Sequence, residues 1–134
     1  MTRQSAMRCV PFALVCAALL WVGLNPEPVP QVFAQQDKLH HALGFFAFAV
    51  TLKLAFPGLG VVRLVAVGAA AALLIEVGQG FLPARTASLA DMAANLIGVL
   101  LGGACARAVD ATSALAGSHR AASAQKNSPA KRPQ

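Results

Sequence analysis

The sequence predicts an all-α protein, a helical transmembrane bundle of four short spans followed by a disordered basic C-terminal tail. Three observations lead there. The 134-residue chain is 57% hydrophobic and only 12% charged, against the roughly 25% charged residues of a soluble domain. Such a chain cannot cover a water-facing surface, whereas lipid tails solvate apolar side chains. Its apolar residues also gather into four stretches, at 9–24, 39–56, 61–77 and 89–109, separated by short polar breaks. Finally, no stretch alternates apolar and polar residues as strands do, and inside a bilayer only helices and closed barrels satisfy every backbone hydrogen bond.

Each element carries its own boundaries. The first stretch lies behind Arg3 and Arg8 and ends at the proline-bearing break 26–30. Pro57-Gly58 closes the second, and the third runs from Val61 to Val77. The fourth spans Leu89 to Val109; past Asp110 the chain turns to Ala, Ser, Gly, Lys and Pro, a composition that buries too little to fold. Residues 1–110 are therefore the bundle and 111–134 a cytoplasmic tail. Three stretches fall slightly short of the ~20 residues that cross a ~30 Å hydrocarbon core, a deficit that snorkelling Lys53 and Arg63 cover. A competing reading makes residues 1–34 a cleaved signal ending in Val32-Phe33-Ala34, which leaves three spans. The long break with its three prolines disfavours it.

Charge orients the bundle. Of the 11 Lys and Arg residues, only Lys38 and Arg85 fall on the side away from Arg3, Arg8, Lys53, Arg63, Arg107 and the basic tail. Short cytoplasmic loops retain positive charge, so both termini are placed in the cytoplasm and the protein in the inner membrane. The net charge of +6 thus reflects orientation. No basic stripe with interleaved aromatics points to nucleic acid. Cys9, Cys16 and Cys105 form no CxxC pair, and no metal or cofactor is expected. Small residues recur at helical spacing in Ala13/Ala17, Gly68/Ala72 and Ala94/Gly98/Gly102. Such rows let backbones approach closely in lipid, within the bundle or, through Gly98/Gly102, in a homo-oligomer.

The polar residues collect at the outer ends of the last three spans. Asp37, Lys38 and His41 share a face of the second helix by their i, i+3 and i, i+4 spacing. Glu76 and Gln79 close the third, Arg85 follows in the loop, and Asp91 and Asn95 project from the first turns of the fourth. Charged groups cost about 2.5–3.5 kcal/mol at a helix centre in lipid, so Glu76, Asp91 and Asn95 are expected to face one another. Arg85 can reach Glu76 or Asp91, and Lys38 can meet Asp37. Plainer roles compete: Asp37 as N-cap of the second helix, Ser88 and Asp91 as a capping box, and His40 as an interfacial side chain. Asn95 lies a turn too deep for capping.

These residues resemble the signature blocks of the VanZ-like membrane proteins. Asp37, Lys38 and His41 match the first block; Glu76, Gln79, Pro83, Arg85, Asp91, Asn95, Gly98 and Gly102 match the second. The resemblance covers residues 37–102 and implies a helical bundle, a polar site and a cell-envelope setting associated with resistance to glycopeptides such as teicoplanin. It implies no reaction. Three roles then compete. In the first, the cluster recognises an anionic lipid headgroup or lipid-linked envelope precursor, with Lys38, His41 and Arg85 on phosphate. In the second it is a membrane-embedded hydrolase or transferase with His41 as base, although no nucleophile stands at triad spacing. In the third it is a structural clasp.

Overall fold

A computed structural model describes residues 3–27 and 30–126. Four helices follow one another: α1 (Arg3–Gly23), α2 (Gln36–Ala55), α3 (Val61–Gln79) and α4 (Leu89–Lys126), with no strand among the described residues. The apolar stretches therefore become helices in the expected order. Three are long and apolar enough to cross a membrane: Ala6–Gly23, Val61–Gln79 and Leu89–Ser118. The expected second span is not among them, because α2 carries Asp37, Lys38, two histidines and Lys53 within its 20 residues.

That helix is nonetheless the centre of the bundle. It packs most extensively on α4 and next on α1, whereas α1 and α3 barely touch. Phe45, Phe48, Ala49 and Leu52 of α2 are buried with Leu64, Ala72 and Ile75 of α3 and Val99 of α4. Phe12 of α1 joins this core through Phe48, their ring centroids 5.4 Å apart. Outward-facing positions are apolar as well: Leu14, Trp21, Val62, Leu74 and Leu101 are all more than half exposed. An apolar exterior around a core that holds Glu76 and Asn95 is the arrangement that lipid, rather than water, stabilises.

α2 and α4 run parallel, and glycine makes their approach possible. A methyl group on Gly98 would collide with the carbonyl oxygen of Ala42, and one on Gly102 would stand 2.5 Å from the carbonyl oxygen of Phe46. Gly98 and Gly102 are thus covered by α2 of the same chain. Gly68 does similar work against Val99. Ala13 and Ala17, by contrast, are exposed and contribute no close packing. At the far end Lys53 Nζ lies 3.3 Å from Asp110 Oδ2 and donates to the carbonyl of Leu59, pinning the end of α2 to α4.

The end of α4 departs from expectation. Its 38 residues make a rod of about 57 Å at 1.5 Å per residue, and regular helix continues to Lys126 where a tail without structure was expected from 111. Alanine, the best helix former, recurs through 111–124, and no proline interrupts before Pro129. Residues 127–134 of the expected tail lie outside the described residues.

Gly98→Val should destabilise the bundle by about 1–3 kcal/mol or more, the usual range for overpacking, because the obstructing atoms are backbone. Ala17→Val, on the exposed face, should melt like the wild type in detergent. Equal melting temperatures for the two variants would contradict this packing.

Candidate functional site

The site forms where α1 and α3 end and α2 and α4 begin. The sequence places Asp37, Lys38 and His41 on the first turns of α2, and the backbone decides how they are used. α2 begins at Gln36 behind Gln35, which adopts a left-handed φ of 67° and offers no side-chain cap. Asp37 is therefore not the N-cap, contrary to one expectation, and its carboxylate is left for tertiary partners. Loop 80–88 returns through successive turns, with Leu82 N–H on the Gln79 carbonyl at 2.9 Å and Arg85 N–H on the Leu82 carbonyl at 3.2 Å. Those turns bring Arg85 back over the bundle.

At the heart lies a buried relay. Glu76 is 4% exposed and Asn95 fully enclosed. Asn95 donates its amide N–H to Glu76 Oε1 at 3.3 Å, and its carbonyl oxygen lies 3.0 Å from His41 Nδ1. These directions put a proton on His41 Nδ1 and turn Nε2 toward Asp37. Glu76 Oε2 accepts the backbone N–H of Ser88 at 3.0 Å. Ser88 caps α4 as expected, its hydroxyl accepting the Asp91 N–H at 3.4 Å. The capping box, however, is shared differently. Glu76 of α3 takes the Ser88 N–H that Asp91 would take in a local box, and the Asp91 carboxylate is released.

Charged groups ring this relay with partners other than those expected. Arg85 meets neither Glu76 nor Asp91; its Nη1 lies 3.9 Å from Asp37 Oδ1. Lys38 pairs with Asp91 Oδ1 at 3.8 Å instead of Asp37. Both distances exceed a hydrogen bond. His41 Nε2 lies 3.9 Å from Asp37 Oδ1, and Asp91 Oδ1 is buried without any hydrogen-bond donor.

The first helix belongs to the site, which the sequence reading did not foresee. Arg85 donates to the carbonyls of Val22 and Asn25, at 3.3 and 3.4 Å. Gln79, 2% exposed, donates to the Gly23 carbonyl at 2.9 Å. The last carbonyls of a helix lack intrahelical donors and carry its negative dipole end, and α1 has no basic residue in its last turn. Arg85 and Gln79 supply what α1 lacks. All eight expected residues thus gather at one end of the bundle, with Gln79 and the Arg85 fork turned mainly to α1.

Between α1, α2 and α3 this leaves a cavity of about 50 Å³ lined by Asp37, His40, His41, Gln79 and Arg85 on its polar side. A groove of about 300 Å³ runs beside it, lined by Cys16, Leu20, Phe48 and Leu74 among others. Leu19, Phe45 and Ile75 line both.

Asn95→Leu should orphan the His41 N–H and a Glu76 oxygen at once, each at about 1–3 kcal/mol, and appear as a large fall in denaturation midpoint in detergent. Arg85→Ala should raise hydrogen exchange at the end of α1 while sparing the interior of α4. Unchanged exchange at Val22–Asn25 would remove α1 from the site.

The model of the VanZ/LLP1 family matches residues 2–110, a stretch that contains all of α1 to α3, the site and the bundled part of α4. Neither curated proteins nor solved structures yield a significant match. The eight polar residues lie within the matched stretch, and the chain belongs to the VanZ/LLP1 family of membrane proteins.

Proposed function

We propose that this chain works in the cell envelope as a four-span protein of the inner membrane, both termini cytoplasmic. Its polar cluster binds a lipid headgroup or lipid-linked envelope precursor at the outer face, and through it contributes to tolerance of glycopeptide-type antibiotics. In this reading α2 crosses as the enclosed central helix, its charged N-terminal turn at headgroup level. The cluster lies opposite Arg3, Arg8, Lys53 and Arg63, and positive charge collects on the cytoplasmic side.

One observation carries the ligand class. The polar cavity and the apolar groove share Leu19, Phe45 and Ile75, so a single amphipathic molecule can place a polar group in one and a hydrocarbon chain in the other. A soluble polar ligand has no use for the groove, and neither does a purely structural clasp. The groove exists because α1 and α3 barely touch.

The division of labour among the cations differs from the sequence expectation. Arg85, with its side chain 11% exposed, is occupied by α1 carbonyls and Asp37 and acts as the clasp. Lys38 lies outside the cavity lining, on the α4 side; its side chain is 41% exposed, and it is the cation free to swing to an anion at the cavity mouth. At 3.8 Å from Asp91 Oδ1 the ammonium makes no hydrogen bond there, so Lys38 gives up none when it turns to an anion.

The test is binding of pyrene-labelled phosphatidylglycerol to the purified chain in neutral detergent, with labelled phosphatidylcholine alongside. Lys38→Ala should weaken binding about tenfold or more, as expected for a charge-assisted contact of about 1.5–3 kcal/mol. Leu74→Trp, at an exposed groove position, should weaken both lipids by filling the groove. Binding that ignores both substitutions would refute the reading.

A further inference from the structure

We propose that Asp37, His41 and Asp91 form a binding site for a single divalent transition-metal cation, Mn²⁺ or Zn²⁺ by ligand type, in which Lys38 stands in for the ion. One donor atom from each of the three residues lies within 4.8 Å of the others. In the sequence, from which no metal is expected, a lone histidine among these residues is a weak zinc signal. The fold adds two carboxylates from different helices to that histidine.

Two independent features point to a cation. Asp91 Oδ1 is buried, with the side chain 9% exposed, and accepts no hydrogen bond. With no hydrogen bond and only the Lys38 ammonium at 3.8 Å, that oxygen keeps part of its desolvation cost, which a directly coordinated cation removes. Its release follows from the fold, since Glu76 and not Asp91 receives the Ser88 N–H. The second feature is the imidazole. His41 Nδ1 is held by Asn95, and Asn95 in turn by Glu76, which leaves Nε2, the atom facing Asp37, as the ring nitrogen available to a metal. Metal-binding histidines are oriented in this way, the far ring N–H donated to an oxygen that fixes tautomer and direction.

Charge and space agree. Three carboxylates, Asp37, Glu76 and Asp91, face two permanent cations, Lys38 and Arg85, leaving the cluster one positive charge short when His41 is neutral. Ligands on a tetrahedral ion with bonds of ~2.1 Å stand about 3.4 Å apart, so donors within 4.8 Å of one another must draw together by up to about 1.4 Å. Asp37, with its side chain 34% exposed in the first turn of α2, and the exposed Lys38 have the freedom to allow it. Imidazole with carboxylates suits Zn²⁺ and Mn²⁺ better than Ca²⁺ or Cu⁺. Three protein ligands leave coordination positions open to water or a phosphate oxygen. The site stands on protein donors alone and does not require the lipid reading to hold.

Titrating Mn²⁺ into the full chain in neutral, lipid-free detergent, with free ion followed by electron paramagnetic resonance, tests the site. Saturation at one ion per chain, reversed by Zn²⁺, is expected. Asp91→Asn preserves shape and the helix cap, and should weaken binding by more than the 10–100-fold typical of losing an outer-shell partner. Lys38→Met should tighten Mn²⁺ binding, because it removes the competing ammonium; a change affecting only folding has no reason to do so. Absence of saturable binding below millimolar Mn²⁺ would overturn the proposal. So would affinity unchanged by Asp91→Asn, or affinity unchanged or lowered by Lys38→Met. Lipid binding that persists while Mn²⁺ binding fails would leave the headgroup reading standing and remove the metal site alone.

Discussion

The organisation of this protein depends on how one buried carboxylate is satisfied. Glu76 ends an apolar helix, and an unpaired charge at that depth costs several kcal/mol. It is satisfied twice from α4: by the backbone N–H of Ser88 and by the side chain of Asn95. The first contact also sets the carboxylate against the positive end of the α4 dipole. Together they fix the end of α3 to the start of α4. Since Asn95 also holds His41, they fix α2 as well. Releasing the Asp91 carboxylate from local capping is a consequence of the same arrangement.

The rest of the bundle makes that arrangement possible. Gly98 and Gly102 let α4 lie directly on the backbone of α2, which brings Asn95 within reach of His41. Arg85 and Gln79 then gather the free carbonyls of α1. The first helix touches α3 little along its length but is tied at its end, which leaves a groove beside a polar mouth.

Much of this was legible in the sequence. Continuous apolar stretches fix helix number and order in lipid, because no other secondary structure satisfies its backbone there. The spacings Asp37/His41, Glu76/Gln79 and Asp91/Asn95 place each pair on one helical face, and the short loops then bring the faces together. The ion-pair partners were not legible. Arg85 and Lys38 exchange the expected carboxylates, an outcome set by helix rotation and by the path of loop 80–88, neither of which side-chain spacing encodes. The role of α1 was hidden for a different reason: its contribution is backbone carbonyl, and its apolar last turn gives no side-chain signal. A helix ending without a basic residue, near unassigned Arg and Gln donors, is the signal that would have found it. The length of α4 was missed because polar, alanine-rich sequence reads equally as tail and as solvated helix.

The central claim is that Glu76, Asn95 and His41 act as one unit linking three helices. A double-mutant cycle between Glu76→Gln and His41→Phe, measured by reversible denaturation in detergent, tests it most directly. Their side chains are 3.8 Å apart and are joined through Asn95. Residues sharing a network show coupling of about 0.5–3 kcal/mol, and the account predicts a value in that range that collapses when Asn95 is replaced by Leu. Additive effects of Glu76 and His41, with or without Asn95, would contradict it.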